Sequence, residues 1–168
     1  MNILPMTADH WPAVQAIYAE GLATSNATFT TEAPAWAEWD ASHLRTCRLV
    51  AADDAQRVLG WAALSPVSSR CVYGGVAEVS VYVGASARGR GVGQALLAGL
   101  VAASEQHGLW TLQAGIFPEN AARVRLHEGA GFRRVGRRER IGQLHGQWRD
   151  TLLLERRSTI VGTSLASA

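Results

Sequence analysis

Lysine is absent from this chain, and all 16 of its positive side chains are arginine. That absence excludes a nucleotide-binding P-loop, whose glycine-rich turn must end in a lysine. Cysteine is scarce, with only Cys47 and Cys71. Two cysteines build no disulfide framework, and both are expected as free, buried thiols in or near strand-like runs. No run of about 18 apolar residues occurs, which excludes a membrane-spanning helix. The opening M-N-I-L-P-M-T-A-D-H lacks the basic-then-apolar order of a signal peptide. A cytoplasmic location is the resulting expectation. Charge of one sign is also in short supply: the net charge is +2, too small to argue for nucleic acid. The arginine cluster 133, 134, 137, 138 and 140 is the one basic patch. A solvated sheet edge accounts for it, and attraction of an anionic ligand is the alternative. Internal repeats and low-complexity stretches are lacking, so 168 residues make one well-buried domain and not two.

What is present is glycine in one telling place. Residues 76–93 read V-A-E-V-S-V-Y-V-G-A-S-A-R-G-R-G-V-G. The first eight alternate and are rich in valine, as a strand wants. Gly89, Gly91 and Gly93 then keep side chains away from the peptide N–H groups where a helix over 92–107 begins. Free N–H groups at a helix start, with the helix dipole behind them, form an anion site. Arg88 and Arg90 add positive charge beside it. A strand leading into such a turn suggests an elongated cofactor with a diphosphate at one end. A dinucleotide fingerprint fits poorly, because it wants G-x-G-x-x-G after the first strand of the domain.

The remaining chain reads as β-α-α-β-β-β-α-β-α-β-β. A strand at I-L-P-M, with Ile3 inward, precedes a helix capped by Thr7 or Asp9 and running to about Ala23. Its apolar stripe is Trp11, Val14, Ile17 and Tyr18. Residues 24–31 form a polar loop with Phe29 as its one large apolar side chain. A second helix carries Trp36, Trp39 and Leu44. Residues 47–52 and 58–65 pair as a hairpin, and 111–116 make a buried strand. Pro118 and Asn120 open a helix ending at Gly129 or Gly131. Two strands over 132–139 and 148–155 close the domain, taken as residues 1–157, with a flexible tail over 158–168. The final paired strands argue against a doubly wound dinucleotide fold. A mixed sheet with helices on both faces fits better.

The order R-x-x-G-x-G at residues 88–93 resembles the pyrophosphate loop of the GNAT superfamily of N-acetyltransferases. The preceding A-E-V-S-V-Y-V at 77–83 and the later R-L-H-E-G-A-G-F at 125–132 strengthen that likeness. T-F at 28–29, R-C-V-Y at 70–73 and H-G-Q-W-R-D at 145–150 are similar to the phosphinothricin and methionine-sulfoximine acetyltransferase branch. The resemblance covers the chain from Met1 to about Arg157. It implies an α/β fold with a splayed, mixed seven-stranded sheet. It implies acetyl-CoA as donor, no metal, a small amino-acid amine as acceptor and a homodimer, with no nucleic-acid or membrane partner.

The same resemblance distributes roles. Val81 and Val83 would pair by backbone with the pantetheine arm. Arg88, Gly89, Arg90, Gly91, Val92 and Gly93 would hold the pyrophosphate, and Asn120 would bond the arm. Glu78 is the candidate base, because a lone acid within an apolar strand is unusual unless it faces a cleft. Read alone it is equally a sheet-edge glutamate. His127 is the candidate to protonate the coenzyme thiolate or to help deprotonate the amine, or a packed or capping histidine. Asn120 also suits a plain helix cap. Phe29, Arg70 and Tyr73 would shape the acceptor pocket, with Trp148 lent by a partner subunit. Arg70 can grip a carboxylate in bidentate fashion. Arg123 departs from the branch, where a serine is common, and its contact is left open. Acetylation of another small amine or of a protein N-terminus is the competing activity. A non-catalytic acyl-CoA-binding domain is the competing class.

Overall fold

The computed structural model of the protein describes residues 1–163. Seven strands make one sheet: β1 (Asn2–Pro5), β2 (Arg48–Ala52), β3 (Val58–Pro66), β4 (Val76–Val83), β5 (Thr111–Ile116), β6 (Arg133–Leu144) and β7 (Gln147–Arg157). Four helices surround it: α1 (Trp11–Ala23), α2 (Trp36–Ser42), α3 (Val92–Gln106) and α4 (Ala121–Gly129). The strand order is β1-β2-β3-β4-β5-β7-β6. Every pairing is antiparallel except β4 with β5. That single parallel step needs a crossover, which α3 supplies.

The two-residue period of the strands splits the core in two. Ala51, Ala62 and Val81 face one side, where Leu96, Leu97 and Leu100 of α3 and Val124 of α4 pack. Their neighbours Val50, Trp61 and Tyr82 face the other, against Trp11, Val14 and Ile17 of α1 and Trp39 of α2. Trp39 and Trp61 are fully buried, and truncating either to alanine would cost about 3–5 kcal/mol. Tryptophan at these two positions fills the wide space that two helices leave over a twisted sheet.

Several boundaries differ from the sequence reading. Thr7 caps a short 3-10 turn, Ala8–His10, and α1 begins after it with Pro12 in the first turn. Helix α2 stops at Ser42, short of Leu44. His43 turns to extended backbone there, and the Leu44 N–H goes to the Leu64 carbonyl of β3 at 2.8 Å. Strand β6 runs on to Leu144, because register shifts between Arg134 and Gly136 and between Arg138 and Gly142 absorb its irregularities. Cys47 is buried as expected, but Cys71 is exposed. Past β7 the chain folds back, Ser158 N–H bonding the Trp110 carbonyl at 2.6 Å. The tail expected to be flexible thus begins with a docked segment, and its last five residues lie outside the described residues. No described helix is long and apolar enough to cross a membrane.

Candidate functional site

Strands β4 and β5 part company. Their register covers three pairs, Val76 with Thr111, Ala77 with Leu112 and Glu78 with Gln113, and then ends. Strand β5 continues on its other edge along β7 as far as Ile116. The Gly84 N–H bonds Leu59 of β3 at 2.9 Å, while the Gly75 carbonyl accepts from Trp110 and Thr111 on the β5 side. Alternation along β4 therefore turns the main-chain groups of Val81 and Val83 away from β3 and toward the gap. Beyond Glu78 these groups have no strand to pair with.

The gap opens into a cavity of ≈ 670 Å³. Val81, Val83, Arg88, Gly89, Gly91, Val92, Gly93 and Asn120 line it, so eight of the residues singled out from sequence come together around it. Arg90 stands exposed beside it. Gly91 has φ +78°, the left-handed region, and caps α3 with no side chain in the way. A Cβ on Gly93 would lie 3.3 Å from the Leu126 side chain, so helix α4 seats directly on the start of α3. The result is a cradle of main-chain N–H groups at a helix N-terminus, open to an anion. Glu20 of α1 braces the approach, its carboxylate accepting the Ala85 N–H at 2.7 Å.

Asn120 performs the cap role, its Oδ1 accepting the Arg123 N–H at 3.1 Å, while its Nδ2 donates to the Asn26 carbonyl at 2.9 Å. Arg123 also lines the cavity; its Nη1 donates to the Ala27 carbonyl at 2.8 Å, and its guanidinium lies 5.6 Å from the centre of the Tyr82 ring. Burial pushes the Tyr82 phenol up to about 12, so it stays protonated through the physiological range. Arg149 donates to the Ser25 carbonyl and pairs with Glu119, both at 3.1 Å. The Asn120 cap was expected from the sequence, but the bonds from Asn120, Arg123 and Arg149 to the 25–27 loop were missed, because each depends on a segment that packs far from its partner in the chain.

Glu78 sits half-buried at the last paired position of β4, its Oε2 accepting from Gln113 Nε2 at 3.1 Å. It shares the α1 and α2 face of the sheet with Tyr82, at the root of the gap and off the cavity wall. Arg70 and Tyr73 meet in an exposed turn before β4, the guanidinium 5.6 Å from the ring centre. Phe29 packs elsewhere, edge to face with Phe117 at 5.0 Å and against Gly142 of β6. Trp148 is 61% exposed on the β6–β7 ribbon. A single chain therefore does not gather Phe29, Arg70, Tyr73 and Trp148 around the cavity.

His127 departs from the expected active-site position. Its ring is fully buried and edge-on to Phe132 at 5.1 Å, with Nδ1 bonded to the Arg123 carbonyl at 2.8 Å. A carbonyl can only accept, so Nδ1 carries the proton and Nε2 presents a bare lone pair, which is buried without a partner. Burial pulls the imidazole down to about 4. A neutral ring in that tautomer has no proton to give at the Nε2 side, and the residue does not line the cavity.

The model of the Acetyltransferase (GNAT) family matches residues 11–132. A phosphinothricin N-acetyltransferase of Streptomyces coelicolor is 40% identical over 111 residues, which span 65% of each chain, just under two thirds of that relative's length. A crystal structure of a ribosomal-protein-alanine N-acetyltransferase from Brucella melitensis superposes with TM-score 0.85 at 31% identity, covering 94% of this chain and all of that one. A phosphinothricin acetyltransferase of Sinorhizobium meliloti, solved in complex with AcCoA, gives TM-score 0.87 at 26% identity, covering 99% and 92%.

Proposed function

This chain belongs to the acetyltransferase (GNAT) family, and on that premise we propose that it transfers the acetyl group of acetyl-CoA to the primary amine of a small methionine- or glutamate-like amino acid. Phosphinothricin, methionine sulfoximine and methionine sulfone share that shape. The observation that carries the reading is the continuity of the glycine cradle with the unpaired edge of β4. One end of the cavity suits a pyrophosphate, and the main-chain groups of Val81 and Val83 suit an amide-bearing arm.

Acetyl-CoA supplies an activated thioester carbonyl when bound. The protein's own tasks are to bind it, take a proton from the incoming ammonium and aim N–H donors at the carbonyl oxygen. Glu78 is assigned to the proton: a carboxylate at the root of the gap, hydrogen-bonded by Gln113, takes it directly or through one water. Main-chain N–H groups of the splayed strand beyond Glu78 polarise the oxygen. In the net reaction a C–N bond forms and the C–S bond breaks, and the ammonium nitrogen gives up two protons, one to solvent by way of Glu78 and one to the leaving sulfur. The buried, neutral His127 is assigned to packing α4 on β6, not to that transfer. Arg70 and Tyr73 are assigned to the acceptor's anionic group and side chain. A second copy seated on the β6–β7 ribbon would cover Val135, Ile141 and Trp148, which are exposed.

A second reading, acetylation of a protein N-terminal alanine, is favoured by the likeness to the Brucella melitensis enzyme. A thiol-release assay with acetyl-CoA separates the two. Phosphinothricin and methionine sulfone should release thiol, and an alanine-starting peptide should not. Turnover with the peptide alone would install the second reading.

A further inference from the structure

Three consecutive carbonyls of the loop between α1 and α2 are held from across the site. Arg149 holds Ser25, Asn120 holds Asn26 and Arg123 holds Ala27. Two of the three holders stand on the cap and first turn of α4, on the cavity wall. Of these, Arg123 is under-used. A guanidinium has five N–H donors, yet its partners are the Ala27 carbonyl at Nη1 and the adjacent Tyr82 phenol, and Nε is buried without a partner. It forms no ion pair among the described residues, whereas the neighbouring Arg149 has Glu119. A charged group left with a buried, unpaired donor is in a costly pose that an incoming acceptor improves.

The position of Arg123 selects the acceptor. Tyr82, beneath its guanidinium, lies four residues beyond Glu78, roughly 13 Å along the strand. An amino acid whose amine reaches Glu78 cannot place its α-carboxylate there. Leu126, one turn along α4, touches the position of Gly93, so Arg123 stands beside the stretch between the anion cradle and the root of the gap. On the donor assignment above, that stretch is where the amide-bearing arm runs.

We infer that Arg123 couples the two substrates: a turn of its guanidinium gives Nε an amide carbonyl of the pantetheine arm, while Nη1 keeps the Ala27 carbonyl and fixes the loop that carries Phe29. This rests on the proposed acetyl-CoA chemistry. Arg123 is thus both an arm contact and a positioning residue for the acceptor loop.

The test is calorimetric titration of the parent protein and of Arg123→Met and Arg123→Lys with acetyl-CoA, with pantetheine and with the coenzyme's nucleotide fragment. Arg123→Met should weaken acetyl-CoA about tenfold or more, weaken pantetheine in proportion and leave the nucleotide fragment unchanged. It should also raise the acceptor KM. Arg123→Lys keeps a donor for Ala27 but has no Nε, so it should lose the same coenzyme affinity while its acceptor KM stays near the parent value. Unchanged acetyl-CoA affinity in Arg123→Met overturns the inference. So does a matching loss for the nucleotide fragment, which would make Arg123 a phosphate contact. If Arg123→Met melts at a lower temperature than the parent, the lysine variant decides. A parent that binds no acetyl-CoA sinks the donor assignment and Arg123's role with it. A parent that binds it but acetylates no amino acid sinks only the acceptor assignment.

Discussion

On the proposed function, the donor and acceptor halves of this site are built by opposite means. The donor half comes from one continuous stretch, β4 through the first turn of α3, with α4 laid across it. Its working groups are main-chain N–H and C=O groups, aimed by strand pairing and by a left-handed glycine. The proposed acceptor half relies on side chains from three separate segments, and in one chain Phe29, the Arg70–Tyr73 turn and Trp148 remain apart from one another. A site made of backbone is complete once the chain folds. One made of scattered side chains needs closure by substrate or by a second copy.

Glu78 lies at the junction, and breaking it should have the largest effect. Glu78→Gln is expected to keep both substrates bound and lower the single-turnover rate by about 10²–10⁴-fold. A rate within about twofold of the parent would return Glu78 to a sheet-edge role. Next in size is Arg70→Ala, which sharpens the comparison directly. With the acceptor half closed, kcat/KM for the amino acid should fall by about thirtyfold or more, with acetyl-CoA affinity intact. If Arg70 stays as exposed in solution as it is here, the loss shrinks toward that of a surface charge.

Gly91→Val probes the donor half. The surroundings are open, with Gln94 Oε1 the nearest atom at 3.9 Å from an added Cβ. The penalty is therefore conformational: a β-branched residue at φ +78° costs roughly 1–3 kcal/mol, or moves the cradle. Acetyl-CoA affinity should drop about tenfold or more in a titration, and an unchanged value would remove the cradle from the binding site.

The smallest effect on turnover is expected at His127, where the readout is stability. Its folded value of about 4 lies below the ordinary 6.5, so the unfolded chain takes up the proton first on acidification. Stability then falls as pH drops below the unfolded value and levels off below about 4. The group should cost about 2 kcal/mol between about pH 7 and pH 5, and burial of His43 acts in the same direction. His127→Leu should flatten that part of the denaturation profile. A large loss of turnover at constant stability would instead restore His127 to the chemistry.

The same contrast explains what was legible in the sequence. Glycine spacing and the two-residue period of β4 are local signals, and they marked a strand running into a helix start, whereas the open edge was implied only by the family resemblance. The face of a helix is harder to read. Arg123 and Leu126 turn toward the cavity, whereas His127, about 100° further round, turns into the core against Phe132. The L-H-E motif contains both residues and does not say which faces the substrate. The end of α2 depended on the Leu44–Leu64 bond to a strand twenty residues on, and the length of β6 on bulges that no alternation pattern predicts. Arg123, Arg149 and Glu20 act through loop carbonyls or a loop N–H, which carry no residue-specific mark at all.

The parting of β4 from β5 has one more consequence, for how freely such a chain can drift. Main-chain donors and acceptors survive replacement of the side chains attached to them, so the lining of the donor half can change its spelling without changing its hydrogen bonds. What must be kept is the path of the backbone. A structure that shares 26% of its residues with this chain yet superposes at TM-score 0.87 fits that economy: the path of the open edge is kept, and the letters around it are left comparatively free.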